Sequence, residues 1–382
     1  MADSSPKIVA QGITFDDVLL VPSYSDFKRQ DISIKSRVSK RIELDVPLVS
    51  SPMDTVTESE LAIALGRAGG IGIIHRNLTV EEQAFEVETV KSAGLQVGAA
   101  IGASPGFEAR AEALVEKNVD IIVIDSAHGY TDGIIKAISY LKTEYPQVDI
   151  MAGSVATYEG AKALIDAGAD SLRVGMGPGA ICTTRIISGM GVPQITAIME
   201  TYRAAKEAGI PVIGDGGIKY SGDMVKAFAA GASAVMMGSF FASCQEAPGE
   251  HVELPTEQVP SRFKSILKQN KTTYTFKSYR GMGSIGAMEK GTEIKSEDEF
   301  HGKSYKDRVL VAEGVEGLVP VNGPEQSVVD QAVGGIRSGM YYVGAKTIAD
   351  LQNKAKFIQI TQASLTESHP HDILVTNAGQ NY

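Results

Sequence analysis

The chain carries one thiol in a setting suited to covalent chemistry. Cys182 ends the glycine-rich run VGMGPGAICTTR, and the hydroxyls of Thr183 and Thr184 follow it directly. Gly175, Gly177 and Gly179 allow the backbone to fold back and turn carbonyls or amides inward. A thiol on such a loop, beside hydroxyls, is a candidate nucleophile; a cysteine without such neighbours is more often a small buried hydrophobe. Cys244, within SFFASCQEA, belongs to the second kind and reads as structural. These two cysteines are not spaced as a zinc pair and form no disulfide framework.

Two more glycine-rich strings have the character of phosphate sites. In GDGG, Gly216 and Gly217 permit close approach of the backbone to a ligand; in MMGS, Gly238 and Ser239 offer main-chain N–H groups with a helix start behind them. Asp215 points at the same place, where a short carboxylate can accept hydrogen bonds from a ribose diol. The string DSAHGY supplies Asp125 and His128, and its carboxylate either orients a polar ligand group or caps the next helix. His369 and His371 in ESHPHD resemble a metal pair, but no further ligand set accompanies them, so metal binding by imidazole is not expected.

These strings fall at regular positions in a β/α alternation. Eight apolar runs follow the first 45 residues: Val46 to Met53, Gly70 to His75, Gln96 to Gly102, Asp120 to Ser126, Asp149 to Ser154, Ser171 to Gly175, Ile210 to Gly217 and Ser233 to Ser239. Near-continuous apolar strands are buried on both faces, as in a parallel barrel, and eight of them with crossover helices predict an α/β fold, a (β/α)8 TIM barrel. A doubly wound open sheet would show a G-x-G-x-x-G turn after an early strand, and none is present. In a barrel the C-terminal strand ends form the active face, with phosphates commonly after strands seven and eight. GDGG and MMGS occupy those two places, and the cysteine loop follows strand six.

The alternation breaks between Gly238 and a last helical pattern beginning near Gln326. Within this long insertion the segment from Met288 to Arg308 is charged and poor in apolar residues, which predicts a mobile flap over approximately 284–312 rather than core. The chain as a whole, 1–382, reads as a single catalytic domain, since 43% hydrophobic residues suit one large core. A net charge of −10, with no Lys/Arg stripe interleaved with aromatics, opposes nucleic-acid binding, so local backbone donors must hold any phosphate. The sequence opens without a basic and apolar leader, and no run approaches a membrane span, so a cytoplasmic protein with no membrane partner is expected.

A family resemblance extends across almost the whole chain. GITFDDVLLVPSYS, SSPMDTVTE, GGIGIIHRN, VIDSAHG, VGMGPGAICTTR, GVPQITAI, GDGGIKYSGD, MMGS, YRGMGS, VAEGVEG and ESHPHD together resemble IMP dehydrogenase, with GMP reductase as its close relative. The resemblance implies that Cys182 attacks C2 of IMP, that hydride passes from the adduct to NAD⁺, and that water releases XMP for guanine nucleotide biosynthesis. It implies a nucleotide pocket with Ser51 and Met53, Asp215 on the ribose, Gly217, Gly238, Ser239 and Tyr279 around the phosphate, and Met282, Gly283 and Glu313 facing the purine. Asp125, Ser126, Arg173 and Gly175 would meet the cofactor, and Thr184 would lie near the hydrolytic water. The family also holds a monovalent cation, usually K⁺, through carbonyls matching Gly177, Gly179 and Cys182. A neighbouring subunit would complete that site through Glu367, Ser368 and His369, and a homotetramer is implied with it. The residue types suit this chemistry, because a thiolate can add to an electron-poor purine carbon and create a tetrahedral centre from which hydride leaves.

The sequence departs from the family at four places. The CBS regulatory pair that most members insert between the second helix and the third strand is absent; that place holds only NLTVEEQAFEVETVKSAGLQ, residues 77–96, so no such domain lies between 76 and 95. Ala180 replaces the serine two residues before the cysteine, and Ser154 replaces the asparagine of the fifth-strand motif. The flap segment SEDEFHGKSYKDRVLVAEG lacks the adjacent Arg-Tyr pair that activates water in family dehydrogenases, leaving Tyr305 and Arg308 as possible substitutes. The last three changes bear on hydrolysis more than on thiol addition or hydride transfer. A GMP reductase, which displaces ammonia from GMP using NADPH, needs no such water, but SAHG, MMGS and ESHPHD favour a dehydrogenase. The remaining alternatives are a catalytically weakened nucleotide-binding paralogue and an FMN-binding barrel, the latter leaving the cysteine loop unexplained.

Overall fold

Eight parallel strands close on themselves in a computed structural model that describes residues 7–261, 263, 267, 271–294, 299–300, 303–304, 311–373 and 375. They are β1 (Leu48–Ser50), β2 (Ile71–Ile74), β3 (Val97–Ile101), β4 (Ile121–Asp125), β5 (Asp149–Val155), β6 (Ser171–Val174), β7 (Val212–Asp215) and β8 (Ala234–Met237). Closure comes from β8 pairing with β1, Val235 opposite Leu48 and Met237 opposite Ser50. Every expected strand is present within its apolar run, except that β5 extends one residue further, to Val155.

Burial on both faces explains why these runs read as continuously apolar. Val49, Ile71, Ile73, Ala100, Ile121, Val123, Met151, Ile213, Ala234 and Met236 point inward and pack together. The alternate residues, among them Leu48, Ile74, Ile122, Ile150, Leu172 and Val235, pack outward against the helices. Those helices are α1 (Ser59–Arg67), α2 (Val80–Ser92), α3 (Phe107–Glu116), α4 (Asp132–Glu144), α5 (Tyr158–Asp166), α6 (Gln194–Ala208), α7 (Ser221–Ala230) and α8 (Glu325–Val343). Threonines start several of them. Thr79 and Glu82 cap α2 reciprocally, Glu82 N–H donating to Thr79 Oγ1 at 3.1 Å and Thr79 N–H to Glu82 Oε2 at 2.9 Å.

The N-terminal mouth of the barrel is plugged. A two-stranded hairpin, Ser36–Arg37 with Glu43–Leu44, sends Val38, Ile42 and Leu44 into the inner cluster. Buried Asp149, at the start of β5, fixes this plug by accepting from Ser39 Oγ at 2.5 Å and Arg41 Nε at 2.6 Å. Ligand access is therefore left to the opposite end.

The described parts of the insertion after β8 carry regular structure on either side of its charged segment. They form an antiparallel sheet of β9 (His251–Pro255), β10 (Thr273–Arg280) and β11 (Glu316–Pro320), with β10 in the centre. Val259, Tyr274 and Phe276 make a small separate core there, packed by Leu254, Phe263, Leu267 and Leu318. Within the expected flap at 284–312, Ile285–Glu293 is a helix that buries Ala287 and Met288, while residues 295–298, 301–302 and 305–310 lie outside the described residues. The helix's charged residues face outward while a few small or apolar ones hold it down. Tyr305 and Arg308, the suggested substitutes for the Arg-Tyr pair, lie outside the described residues. Among the described residues, no helix is long and apolar enough to cross a membrane.

Candidate active site

A cleft of about 680 Å³ opens at the C-terminal ends of the strands. The cysteine loop forms one wall. Gly175 must be glycine there, since its φ is +155° and a β-carbon would lie 2.2 Å from the Asp215 carbonyl oxygen. Gln194 Nε2 pins the loop's root by donating to the carbonyls of Val174 at 2.8 Å and Asp215 at 2.9 Å. At its far end the loop is stapled to the insertion. Cys182 bridges Gly314, Thr183 N–H donates to the Glu313 carbonyl at 2.9 Å, and Val315 N–H donates to the Ile181 carbonyl at 2.9 Å.

This pairing aligns three side chains. Cys182 Sγ lies 3.3 Å from Thr184 Oγ1, and the Thr184 hydroxyl donates to Glu313 Oε2 at 2.8 Å. Thiol, hydroxyl and carboxylate thus form one hydrogen-bonded line from the nucleophile to a proton acceptor, with all three residues lining the cleft.

A chain of alternating charge crosses the barrel mouth. Arg173, on β6, donates through Nε to Asp215 Oδ2 at 2.7 Å and through Nη1 to Asp125 Oδ1. Arg76, just after β2, lies 3.5 Å from the other Asp125 oxygen. Burial opposes ionisation of Asp125, but Arg173 and Arg76 outweigh it and hold the carboxyl below the usual carboxylate range. For Arg173, burial is likewise outweighed by Asp215 and Asp125, which keep its guanidinium protonated. Asp125 therefore does not cap α4, whose cap is Thr131. One oxygen of Asp215, expected on a ribose diol, is held by Arg173.

The remaining expected residues divide by position. Ser51, Met53, Ser126, Gly175, Gly177, Gly179, Gly238, Tyr279, Met282 and Gly283 line the cleft with those already described. Gly217 and Ser239 do not line it. Gly217, in a left-handed conformation, lies against Pro178, and Ser239 hydrogen-bonds Tyr279. Burial, followed by the charge of Asp215, pushes the Tyr279 phenol up, so it stays protonated as a hydrogen-bond donor. Gly238 leaves room for that hydroxyl, since a β-carbon there would lie 2.6 Å from it.

Glu367, Ser368 and His369 lie away from the cleft at the end of the helix Gln362–Glu367, with the His369 ring edge-on to Tyr220 at 6.2 Å. The cleft also includes residues that motif reading passed over or weighed lightly, namely His128 and Gly102 to Pro105. They follow β4 and β3, so the rule that strand ends face the site was the available signal.

Residues 12–371 match the profile of the family described as IMP dehydrogenase / GMP reductase domain. Similar known proteins include the inosine-5'-monophosphate dehydrogenase of Borreliella burgdorferi, 42% identical over 417 aligned residues that cover 96% of this chain and 98% of that protein. The enzyme of the same name from Cryptosporidium parvum is 41% identical, covering 98% of this chain and 99% of its own length. That from Aquifex aeolicus is 38% identical over 504 aligned residues, 98% of each chain. This last alignment is longer than the 382 residues present here, so more than a hundred positions of the Aquifex protein face gaps, which fits a chain without the CBS pair.

Proposed function

This chain belongs to the IMP dehydrogenase / GMP reductase family, and from that premise we propose that it oxidises IMP to XMP with NAD⁺ through a covalent adduct on Cys182. The observation that carries the mechanism is the line Cys182–Thr184–Glu313. The Cys182 thiol adds across the C2–N3 double bond, Sγ bonding to C2 as the thiol proton passes to N3, and bound NAD⁺ would supply the two-electron acceptor for the hydride that leaves C2. Water then attacks the same carbon, its proton passes by way of the Thr184 hydroxyl to the Glu313 carboxylate, and the thiolate leaves. In this reading Thr184 and Glu313 supply the water activation for which the sequence lacks an Arg-Tyr pair.

The rest of the cleft serves binding. Gly238 and Tyr279 attend the phosphate, Asp215 the ribose, and Met282 and Gly283 the purine, while Asp125, Ser126, Arg173 and Gly175 face the nicotinamide. Gly217 and Ser239 act from behind that wall. Gly177, Gly179 and Cys182 would offer a K⁺ ion neutral carbonyl oxygens, a donor set suited to a weakly hydrated monovalent cation. The loop fits such a role because left-handed Gly177 presents bare backbone, although the Gly179 carbonyl already accepts the Cys182 amide at 3.1 Å. Glu367, Ser368 and His369, being apart from the cleft, would complete the cation site from a neighbouring subunit of a homotetramer. The working compartment is the cytoplasm.

The relatives named above all carry the dehydrogenase name, which weighs against GMP reductase. Incubation with IMP, NAD⁺ and K⁺ is expected to yield NADH and XMP. Consumption of GMP and NADPH instead, with no NADH from IMP, would overturn the assignment.

A further inference from the structure

The strap Tyr279–Gly283 supplies Tyr279, Gly281, Met282 and Gly283 to the cleft, yet it leaves β10, a strand that among the described residues pairs within the insertion's own sheet and not with the barrel. Something must set its height over the barrel. The barrel reaches it through Asp54, in the turn after β1. The Asp54 carboxylate is fully buried; it accepts from Arg280 Nη2 at 2.5 Å, from Arg280 Nε at 3.1 Å and from Asn77 Nδ2 at 2.8 Å. Burial opposes its ionisation, but the bonds from Arg280 and Asn77 outweigh this and hold the carboxyl below its usual range.

Neighbouring groups brace the pair. Asn77 also donates to the Ala287 carbonyl at 3.2 Å, and its own N–H donates to Nδ1 of fully buried His75 at 3.1 Å. That bond places the imidazole proton on Nε2, facing Glu58 at 3.1 Å. Main-chain links run parallel to the ion pair, Arg280 N–H donating to Thr55 Oγ1 at 3.2 Å and Asp54 N–H lying 3.5 Å from Met282 Sδ. Neither Asp54 nor Arg280 lines the cleft.

We propose that Asp54 is a positioning residue for the bound nucleotide, its purine and its phosphate, acting through Arg280 to fix the strap Tyr279–Gly283 over the cleft. A planar guanidinium bound on two nitrogens fixes orientation as well as distance, which a lysine ammonium cannot do. Asp125 and Arg173 belong to barrel strands, so a displaced strap weakens IMP binding and leaves NAD⁺ binding alone. This inference rests on the dehydrogenase reading of the cleft.

The test compares wild type, Asp54→Asn, Arg280→Lys and the double variant by steady-state kinetics, calorimetric binding of IMP and GMP, and thermal unfolding. In folded single variants, KM and Kd for IMP are expected to rise roughly tenfold to a hundredfold, the scale of loss from small misplacements, with KM for NAD⁺ unchanged. The double variant should be no worse than the worse single one, because both remove the same link. Unchanged IMP constants in folded Asp54→Asn, with only kcat and Tm reduced, would indicate a merely structural role and overturn the proposal. Equal rises for IMP and NAD⁺ would also overturn it. Should Asp54→Asn not fold, Arg280→Lys decides the matter on the same criteria. Absence of NADH with wild type would remove the dehydrogenase reading, while the variants' affinities for IMP or GMP would still decide the role of the strap.

Discussion

Asp125, Arg173 and Asp215 come to the cleft on β4, β6 and β7 of one closed barrel, whereas Tyr279, Met282 and Glu313 come on or beside a separate antiparallel sheet. Ladder hydrogen bonds and a core packed on both faces set the first group. The second group is set by contacts at a few points, chiefly Asp54 with Arg280 and the bridge of Cys182 to Gly314. Damage in the barrel should therefore appear as lost stability together with lost activity, and damage in the insertion as lost activity first. Cys182 sits on the seam between them.

The largest effect is expected at that seam. Cys182→Ser should lower turnover by at least about 10⁴-fold, as removal of a nucleophile does, while calorimetric IMP affinity stays within a few-fold of wild type. In the barrel, Arg173→Met should destabilise by about 3–5 kcal/mol in denaturant unfolding, because it leaves Asp215 with Asp125 at a part-buried site without the shared guanidinium. A loss under about 1 kcal/mol would erase the contrast between the regions. In the insertion, Glu313→Gln should leave unfolding nearly unchanged and slow steady-state turnover roughly a hundredfold, with the first hydride transfer intact. An equal slowing of hydride transfer would place Glu313 before that step and contradict the proton path.

The smallest effect concerns the junction where the insertion returns to the barrel. Glu325 begins α8 almost fully buried, and burial, then the charges of Glu246 and Asp330, push its carboxyl up to about 7. Its folded pKa exceeds the unfolded one, so its stabilising contribution is complete below the ordinary glutamate range and is lost as pH rises through about 7. The Tm of the wild type should fall by a few degrees between about pH 5 and 8, and Glu325→Gln should flatten that slope. An unaltered slope in the variant would assign the dependence to other groups.

The same division governs what could be read from the sequence. The barrel strands were legible because burial on two faces writes itself into each short run, and their ends delivered Cys182, Asp125 and Asp215 as candidates. Their pairing was not legible, since Arg173 meets Asp125 and Asp215 only after the barrel closes. In the insertion the central strand β10 finds its partners in segments before and after it, across long stretches that local periodicity does not reach. The helix Ile285–Glu293 escaped notice because polar contacts help hold it, among them the bond from Asn77 to the Ala287 carbonyl and the Ser284 cap. Lys277 is another such case, a buried lysine satisfied by the carbonyls of Cys244, Gln245 and Ala247. The family resemblance supplied individual positions such as Glu313, but its bond to Thr184 came from the fold.

Covalent chemistry at Cys182 is tested most directly by rapid quench of the wild-type enzyme mixed with IMP, NAD⁺ and K⁺, with NADH and intact protein mass followed together. A burst of NADH approaching one per active site is expected before the steady state, with a nucleotide-sized mass increase on the Cys182 peptide that Cys182→Ser lacks. NADH formed without any Cys182-bound nucleotide, in the wild type or in the slowed Glu313→Gln variant, would contradict the mechanism.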